Sequence, residues 1–270
     1  MFRSVSLNPF AVVSSSLREM MQYRELFLNL IARELRARYK GSRLGFVWSL
    51  LNPLMMMVVY TAIFSVVMRI PIENYSLYLF LGLLPWTWFS TALSNSATSV
   101  VSNASLIRKV YFPSELLPLV AVASTMVNYL LALPILIAFL LWNQIPFTWV
   151  VLLFPVIVAI QFMVTLGFSL LLAAINVFFR DIEQLLGILI LVWMYLTPIL
   201  YAPDMIPEPY RWIYYLNPMA PVIHAYHQVF LYGTLPDLAA LLYAGSVGVL
   251  LVFVGLLVFS LVKFEFAEVV

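Results

Sequence analysis

With 270 residues, 64% of them hydrophobic and only 10% charged, the chain lacks the polar side chains to clothe a water-facing globule, since soluble domains carry about 25% charge. Its outer surface is therefore apolar, and a lipid bilayer is the solvent that permits this. The absence of cysteine excludes disulfides, thiolate metal sites and a cysteine nucleophile; the net charge of +2 matters less than where the charges stand.

Taken in chain order, residues 16–40 predict an amphipathic helix. Met20, Tyr23, Phe27, Leu30, Ile31 and Leu35 recur at helical spacing, with Arg24, Arg33, Arg36 and Lys40 mostly on other faces. Such a helix lies in the membrane interface, apolar side in the acyl boundary; it is either an anchor or a docking surface for a cytoplasmic partner. A basic cluster, Arg36, Arg38, Lys40 and Arg43, then stops abruptly, and no charge follows until Arg69. Further charge-free windows run over residues 74–107, 116–179, 184–203 and 238–262. A helix needs about 20 apolar residues to cross the hydrocarbon. The longest window holds 64 residues and is divided by the polar, proline-containing turn WNQIPF at 142–147. Six spans are expected, at about 44–68, 77–100, 116–142, 148–178, 184–202 and 238–262. Continuous rather than alternating hydrophobicity selects helices over barrel strands. The fold class is an all-α integral membrane protein, with residues 1–43 as a cytoplasmic N-terminal segment, 44–263 as the membrane domain and 264–270 as a cytoplasmic tail.

With the N-terminus inside, twelve basic residues fall on the cytoplasmic side and only Arg69 and Arg211 outside, a strong positive-inside bias that also places the C-terminus inside. No apolar stretch with a small-residue cleavage site precedes the basic cluster, so no signal peptide is expected. Between the second and third spans, residues 102–118 carry capping types Ser102 and Asn103, then Leu106, Ile107, Arg108, Lys109, Val110, Tyr111, Phe112 and the breaker Pro113. Aromatic and aliphatic groups beside two cations suit a short helix inserted into a partner's groove, or an interfacial turn held by positive-inside residues. The turn NVFFRDIEQ at 176–184 brings Arg180 and Asp181, which can pair with each other or with a partner. Residues 201–237 are too rich in proline to span and too aromatic for a solvated loop. Two short helices dipping into the outer leaflet at 203–232 fit, as an outer vestibule or gate or as an aromatic belt. Tyr214, Tyr215, His224 and His227 are its candidate gate residues.

Much chemistry is missing. No charge lies within any predicted span, which removes the intramembrane carboxylates of proton-coupled transport. There is no P-loop for ATP, no HExxH and no G-x-S-x-G. His224 and His227 lack enough companions for a metal site, so no metal or cofactor is expected in this chain. The sequons at Asn74 and Asn103 are common by chance, and the second lies on the cytoplasmic side. What remains is aromatic: 20 Phe, 15 Tyr and 7 Trp. Trp86 and Trp88 in the second span, with Tyr195 and Tyr201 in the fifth, are candidate channel aromatics. Rings stack on the C–H faces of sugars and donate to hydroxyls, and a lumen without fixed charge lets a neutral polymer slide.

The run RELFLNLIARELRARYKGSRLGFVWSLLNPLMMMVVYTAIFSVVM, with LIRKVYFPSELLPL, NVFFRDIEQ and LNPMAPVIHAY in that order and spacing, resembles the permease of type-2 ABC exporters for cell-surface polysaccharides and teichoic acids. It looks most like the O-antigen and capsule branch, and the likeness covers nearly the whole chain. The resemblance implies a homodimer joined to two copies of a separate ATPase that binds ATP and magnesium, in the bacterial cytoplasmic membrane. It makes Ile107–Pro113 the coupling helix in the ATPase cleft, the N-terminal helix the interface helix, Arg180 and Asp181 the second loop contact, and Pro203–Tyr232 the re-entrant region. His227 stands where family members often carry arginine, so an outer gate here is either altered or pH-sensitive. A lipid diphosphate carrier would be loaded from the inner leaflet, with Arg36, Arg38, Lys40 and Arg43 as candidate diphosphate ligands. Other cargo (teichoic acid, a drug or a lipid), a membrane-embedded transferase, and a purely structural subunit are the alternatives.

Overall fold

The computed structural model describes residues 8–39, 47–109 and 111–269, all in helices and connecting turns, with no strand among them. Two surface helices come first, α1 (Pro9–Gln22) and α2 (Arg24–Tyr39). Asn8 starts α1: its Oδ1 accepts from the Phe10 amide at 3.1 Å, and Pro9 occupies the first turn where no amide is missed. The single helix expected over 16–40 is thus broken at Tyr23, which leaves helical geometry at φ −95°, ψ 24°. Neither Gly nor Pro causes the break. Instead α1 packs along the last long helix and α2 along the third-span helix, and one straight rod cannot follow both.

Next come α3 (Val47–Tyr60), continued as a π-helical turn to Val67, α4 (Tyr75–Ser102), the short α5 (Ala104–Lys109) and α6 (Leu116–Trp142). A 3-10 turn at Trp149–Leu153 leads into α7 (Phe154–Phe178), followed by α8 (Ile182–Leu196), α9 (Arg211–Leu216), α10 (Met219–His227) with a π turn to Tyr232, α11 (Leu238–Val262) and α12 (Phe266–Val269). Among the described residues, four segments are long and apolar enough to cross a membrane: Tyr75–Ser102, Leu116–Trp142, Trp149–Phe178 and Leu238–Val262. They fall on the second, third, fourth and sixth predicted windows. Leu51–Val67 and Ile182–Leu196 are shorter apolar helices. The start of the first window, residues 44–46, lies outside the described residues.

The fifth window is helical over fewer residues than expected, and proline explains it. Pro198 cannot continue a helix and pushes Thr197 into extended geometry, φ −101°, ψ 134°. At 15 residues, α8 is about 22 Å long, less than a hydrocarbon core of about 30 Å. The following backbone, Thr197–Leu200, is buried in protein, where its polar groups find partners rather than lipid.

The bundle packs around α4, α6, α7 and α11. The tightest seam joins α7 to α11 through Gly167, Gly248 and Gly255. A Cβ on Gly167 would stand 2.7 Å from the Leu251 carbonyl carbon, and one on Gly255 would meet Gly167 oxygen at 3.1 Å. Small residues let membrane helices approach this closely, and packing between backbones replaces the hydrophobic effect that lipid removes. By contrast α3 and α8 lie at the periphery. Met55, Met56 and Val58 of α3, with Ile188, Leu189 and Leu191 of α8, are all exposed.

Two apolar clusters hold the chain. The larger surrounds α4, with Trp86, Phe89, Phe168 and Trp193 in tilted or edge-to-face contact at 5.0–6.5 Å. The smaller gathers Val13, Phe112, Leu117, Phe259 and Phe266 at the end bearing the N-terminal helices. Apolar residues of the surface helices turn into protein: Met20, Tyr23 and Phe27 pack against the smaller cluster and Leu30 is buried. The acyl boundary expected for this face is therefore taken by the chain's own helices.

Candidate functional site

The turn between α4 and α6 is built to present a few side chains from a fixed base. After α4 ends, α5 supplies one and a half turns of helix. Leu106 and Ile107 are half-buried, and Arg108 and Lys109 reach the surface. Val110 lies outside the described residues. Tyr111 is 81% exposed, whereas Phe112, Pro113 and Glu115 are buried. The expected coupling set is thus split: Arg108, Lys109 and Tyr111 face outward, and Phe112 and Pro113 form the footing. Arg180 and Asp181, in the turn between α7 and α8, are also exposed. They do not pair with one another, so both charges are available to another surface.

Beneath the turn lies a polar cluster that sequence reading missed. Glu115 is wholly buried, at 0% exposure. Its Oε1 accepts from Lys263 Nζ at 2.8 Å, Ser260 Oγ at 3.3 Å and Ser16 Oγ at 3.5 Å. Ser16 and Ser260 hydroxyls lie 2.8 Å apart. Lys263 also stands 3.8 Å from Glu19 Oε2, and Glu19 Oε1 accepts from Tyr111 OH at 3.2 Å. The nearby Glu19 carboxylate, with burial second, holds the Tyr111 phenol above its ordinary pKa. Within residues 264–270, expected as a cytoplasmic tail, lies α12, whose Phe266 is fully buried against Phe259 and Phe178.

At the basic cluster, Arg36 is exposed and its Nε donates to the Ala32 carbonyl at 3.1 Å. Arg38 lies 3.6 Å from Glu34, while Lys40 and Arg43 lie outside the described residues. Arg33 donates to Asn103 Oδ1 at 2.9 Å. A cavity of about 130 Å³ sits there between α2, α4 and α6, lined by Arg33, Glu34, Asn95, Thr98, Ser102 and Asn103 among others.

The four candidate channel aromatics do not form one surface. Trp86 and Trp88 are 4% and 2% exposed. The Trp88 ring stacks on Tyr129 at 5.3 Å and its Nε1 donates to the Val122 carbonyl at 3.3 Å. Both tryptophans pack the interior of the bundle in this chain, because α4 is enclosed by α6, α7 and α10. Tyr195 is exposed and Tyr201 half-buried, with Tyr201 OH donating to the Tyr195 carbonyl at 2.9 Å.

The segment between α8 and α11 is anchored by side chains reading backbone. Tyr75 OH donates to the Leu200 carbonyl at 2.7 Å and Tyr78 OH to that of Tyr201 at 2.8 Å. Asn217 Oδ1 accepts from Trp193 Nε1 and the Met219 amide, and its Nδ2 donates to Thr197 Oγ1 at 2.9 Å. Gln161 of α7 is fully buried; it donates to the Pro85 carbonyl and accepts from Tyr226 OH, each at 2.8 Å. His227 stacks on Tyr78 at 3.9 Å, and its Nε2 donates to the Tyr78 carbonyl at 2.9 Å. Burial pushes its pKa below the ordinary histidine value, so the imidazole stays neutral near pH 7. His227 is therefore packed in the core of this chain, stacked on Tyr78. Burial likewise lowers His224, against the pull of Asp237 and Asp204. Tyr214 is half-buried and pushed up to about 12 by burial, and Tyr215 is exposed with its ring 5.5 Å from that of Tyr214. Among the described residues no cluster of His, Asp and Glu could hold a metal.

The ABC-2 type transporter family domain matches residues 25–231. The chain belongs to that family. It is a multi-pass membrane protein by its apolar helices and by this membership. An O-antigen export system permease protein, RfbA, of Myxococcus xanthus is 41% identical over 93% of this chain and 97% of its own length. RfbA of Klebsiella pneumoniae is 38% identical over 91% of the chain and 95% of its own length. The polysialic acid transport protein KpsM of Escherichia coli is 24% identical over 84% of the chain and 89% of its own length. In this ABC-2 chain, the exposed turn between α4 and α6 and the exposed 180–181 turn are at the same end of the bundle as α1 and α12.

Proposed function

We propose that the chain is the membrane permease of an ATP-driven exporter of lipid-linked, O-antigen-like polysaccharide across the bacterial cytoplasmic membrane. The observation that carries this reading is the end-to-end match to O-antigen export permeases. In this reading α3 and α8, with adjoining residues, complete six spans, residues 203–232 form the re-entrant outer region, and residues 1–43 and 264–270 are cytoplasmic. The exposed apolar faces of α3 and α8 suit a homodimer whose polymer path runs along the shared axis, with Tyr195 and Tyr201 as candidate sugar-stacking rings. Two copies of a separate ATPase bind ATP and magnesium. Their closure enters through residues 106–113, aided by Arg180 and Asp181, and Arg36, Arg38, Lys40 and Arg43 receive the carrier diphosphate.

An affinity-tagged chain, produced with its ATPase, tests the docking surface. Lys109→Glu with Arg180→Glu leaves the buried footing untouched. The ATPase recovered with the chain is expected to fall about ten-fold, within the range of charged interface contacts. Unchanged recovery would remove these residues from the interface.

A further inference from the structure

We propose that Glu115, Lys263 and Glu19 form a polar joint that transmits movement of the inner turn to the last membrane helix and the surface helix, with Glu115 and Lys263 as positioning residues for transport. The inference rests on the permease reading above.

Four parts of the chain meet at this joint. Ser16 and Glu19 come from α1, Tyr111 from the exposed turn, Glu115 from the residue preceding α6, and Ser260 and Lys263 from the end of α11. The Lys263 ammonium lies between two carboxylates of different character. Glu115 is fully enclosed and 2.8 Å away, and Glu19 is half-buried and 3.8 Å away. Glu19 is shared in turn with the exposed Tyr111 hydroxyl. A partner that grips Tyr111 therefore acts on Glu19, and through it on which acid holds Lys263. The ammonium sits on Glu115 with Glu19 within 4 Å, so a shift from one acid to the other would be a discrete change, of the kind that carries coupling between distant sites.

Packing does not require this arrangement. Buried ion pairs hold little advantage in stability over apolar residues of equal size, and the surrounding cluster of Val13, Phe112, Phe259 and Phe266 is apolar. Glu115 Oε2 has no hydrogen-bond partner, so the site is not saturated. A carboxylate kept in such surroundings with one fixed cation and one competing acid is suited to directing motion.

The test uses the full chain produced with its ATPase. Glu115→Gln combined with Lys263→Met removes both charges without stranding either. Glu19→Gln, at a half-buried position, cuts only the route to Tyr111 and keeps the fold. Three quantities are read: assembled complex, ATP hydrolysis by the purified complex, and polysaccharide on the cell surface. For the double variant, assembly and hydrolysis are expected to persist while surface polysaccharide falls about ten-fold, a common scale for coupling between sites. Glu19→Gln is expected to lower surface polysaccharide in the same direction with assembly unchanged. Normal surface polysaccharide in both variants overturns the joint. Export lost only in proportion to assembled complex also overturns it, because that is a folding role. If the unaltered chain neither binds an ATPase nor supports surface polysaccharide, the permease reading itself fails, which is a separate outcome.

Discussion

Gly167→Val is expected to remove nearly all folded protein from the membrane. A β-carbon at 167 meets Leu251 and Val252 main-chain atoms at 2.7 and 2.8 Å, and main chain cannot turn aside as a flexible side chain can. The α7–α11 seam must then open along its length, because Gly255 also depends on close approach to Gly167 and Leu170. Overpacking of a tight core usually costs 1–3 kcal/mol, and a clash with backbone puts this variant at about 3 kcal/mol or more. Gly245→Ala is the control, since the nearest atom to its added carbon is 3.7 Å away. Monodisperse protein after detergent extraction, compared between the two variants, measures the difference. Equal yields would mean that the seam is not a determinant of the fold.

Lys263→Met is expected to be the most damaging single change among the charged residues. It leaves the Glu115 carboxylate fully buried with only two serine hydroxyls as donors. Removing one partner from a buried pair costs about 3–5 kcal/mol. Lys263 retains 17% side-chain exposure, so water screens part of the loss and the lower end applies. Lys263→Arg keeps the cation and should retain most stability. Adding Glu115→Gln to Lys263→Met should recover much of what the single change loses, because no charge is then left alone. Thermal unfolding of the four proteins in one detergent measures the series. A double variant no more stable than Lys263→Met would contradict the account of the pair.

Windows without charge revealed the long helices because a bilayer excludes charge along a continuous stretch of chain. Leu116–Trp142 and Leu238–Val262 begin and end where the predicted spans do. The same signal overran α8, since Thr197–Leu200 is apolar and buried yet is not helical beyond Pro198. The periodicity of residues 16–40 found the inward face but not the break at Tyr23, which comes from two distant packing partners. The burial of Trp86 and Trp88 was not legible for a related reason: an aromatic residue in a span has the same composition signature whether it meets lipid, a lumen or another helix. The inner turn was legible as a motif, with its cations and breaker in plain order. Its footing was not. Glu115 is joined to a lysine 148 residues away, and the local signal at residue 115 is only one acid among several. Phe266 was hidden in the same way, as one of several apolar residues in a short terminal segment. A buried pair of opposite charges at two window edges on the same side was the one clue available, through the placement of both Glu115 and Lys263 beside predicted span ends.

The most direct measurement is the amount of polysaccharide on the surface of cells from which this chain has been removed, alongside the lipid-linked polymer held inside. The account predicts loss from the surface, accumulation within, and restoration by the unaltered chain supplied again. Undiminished surface polysaccharide in its absence, with no other permease of this family in the cell, would contradict it.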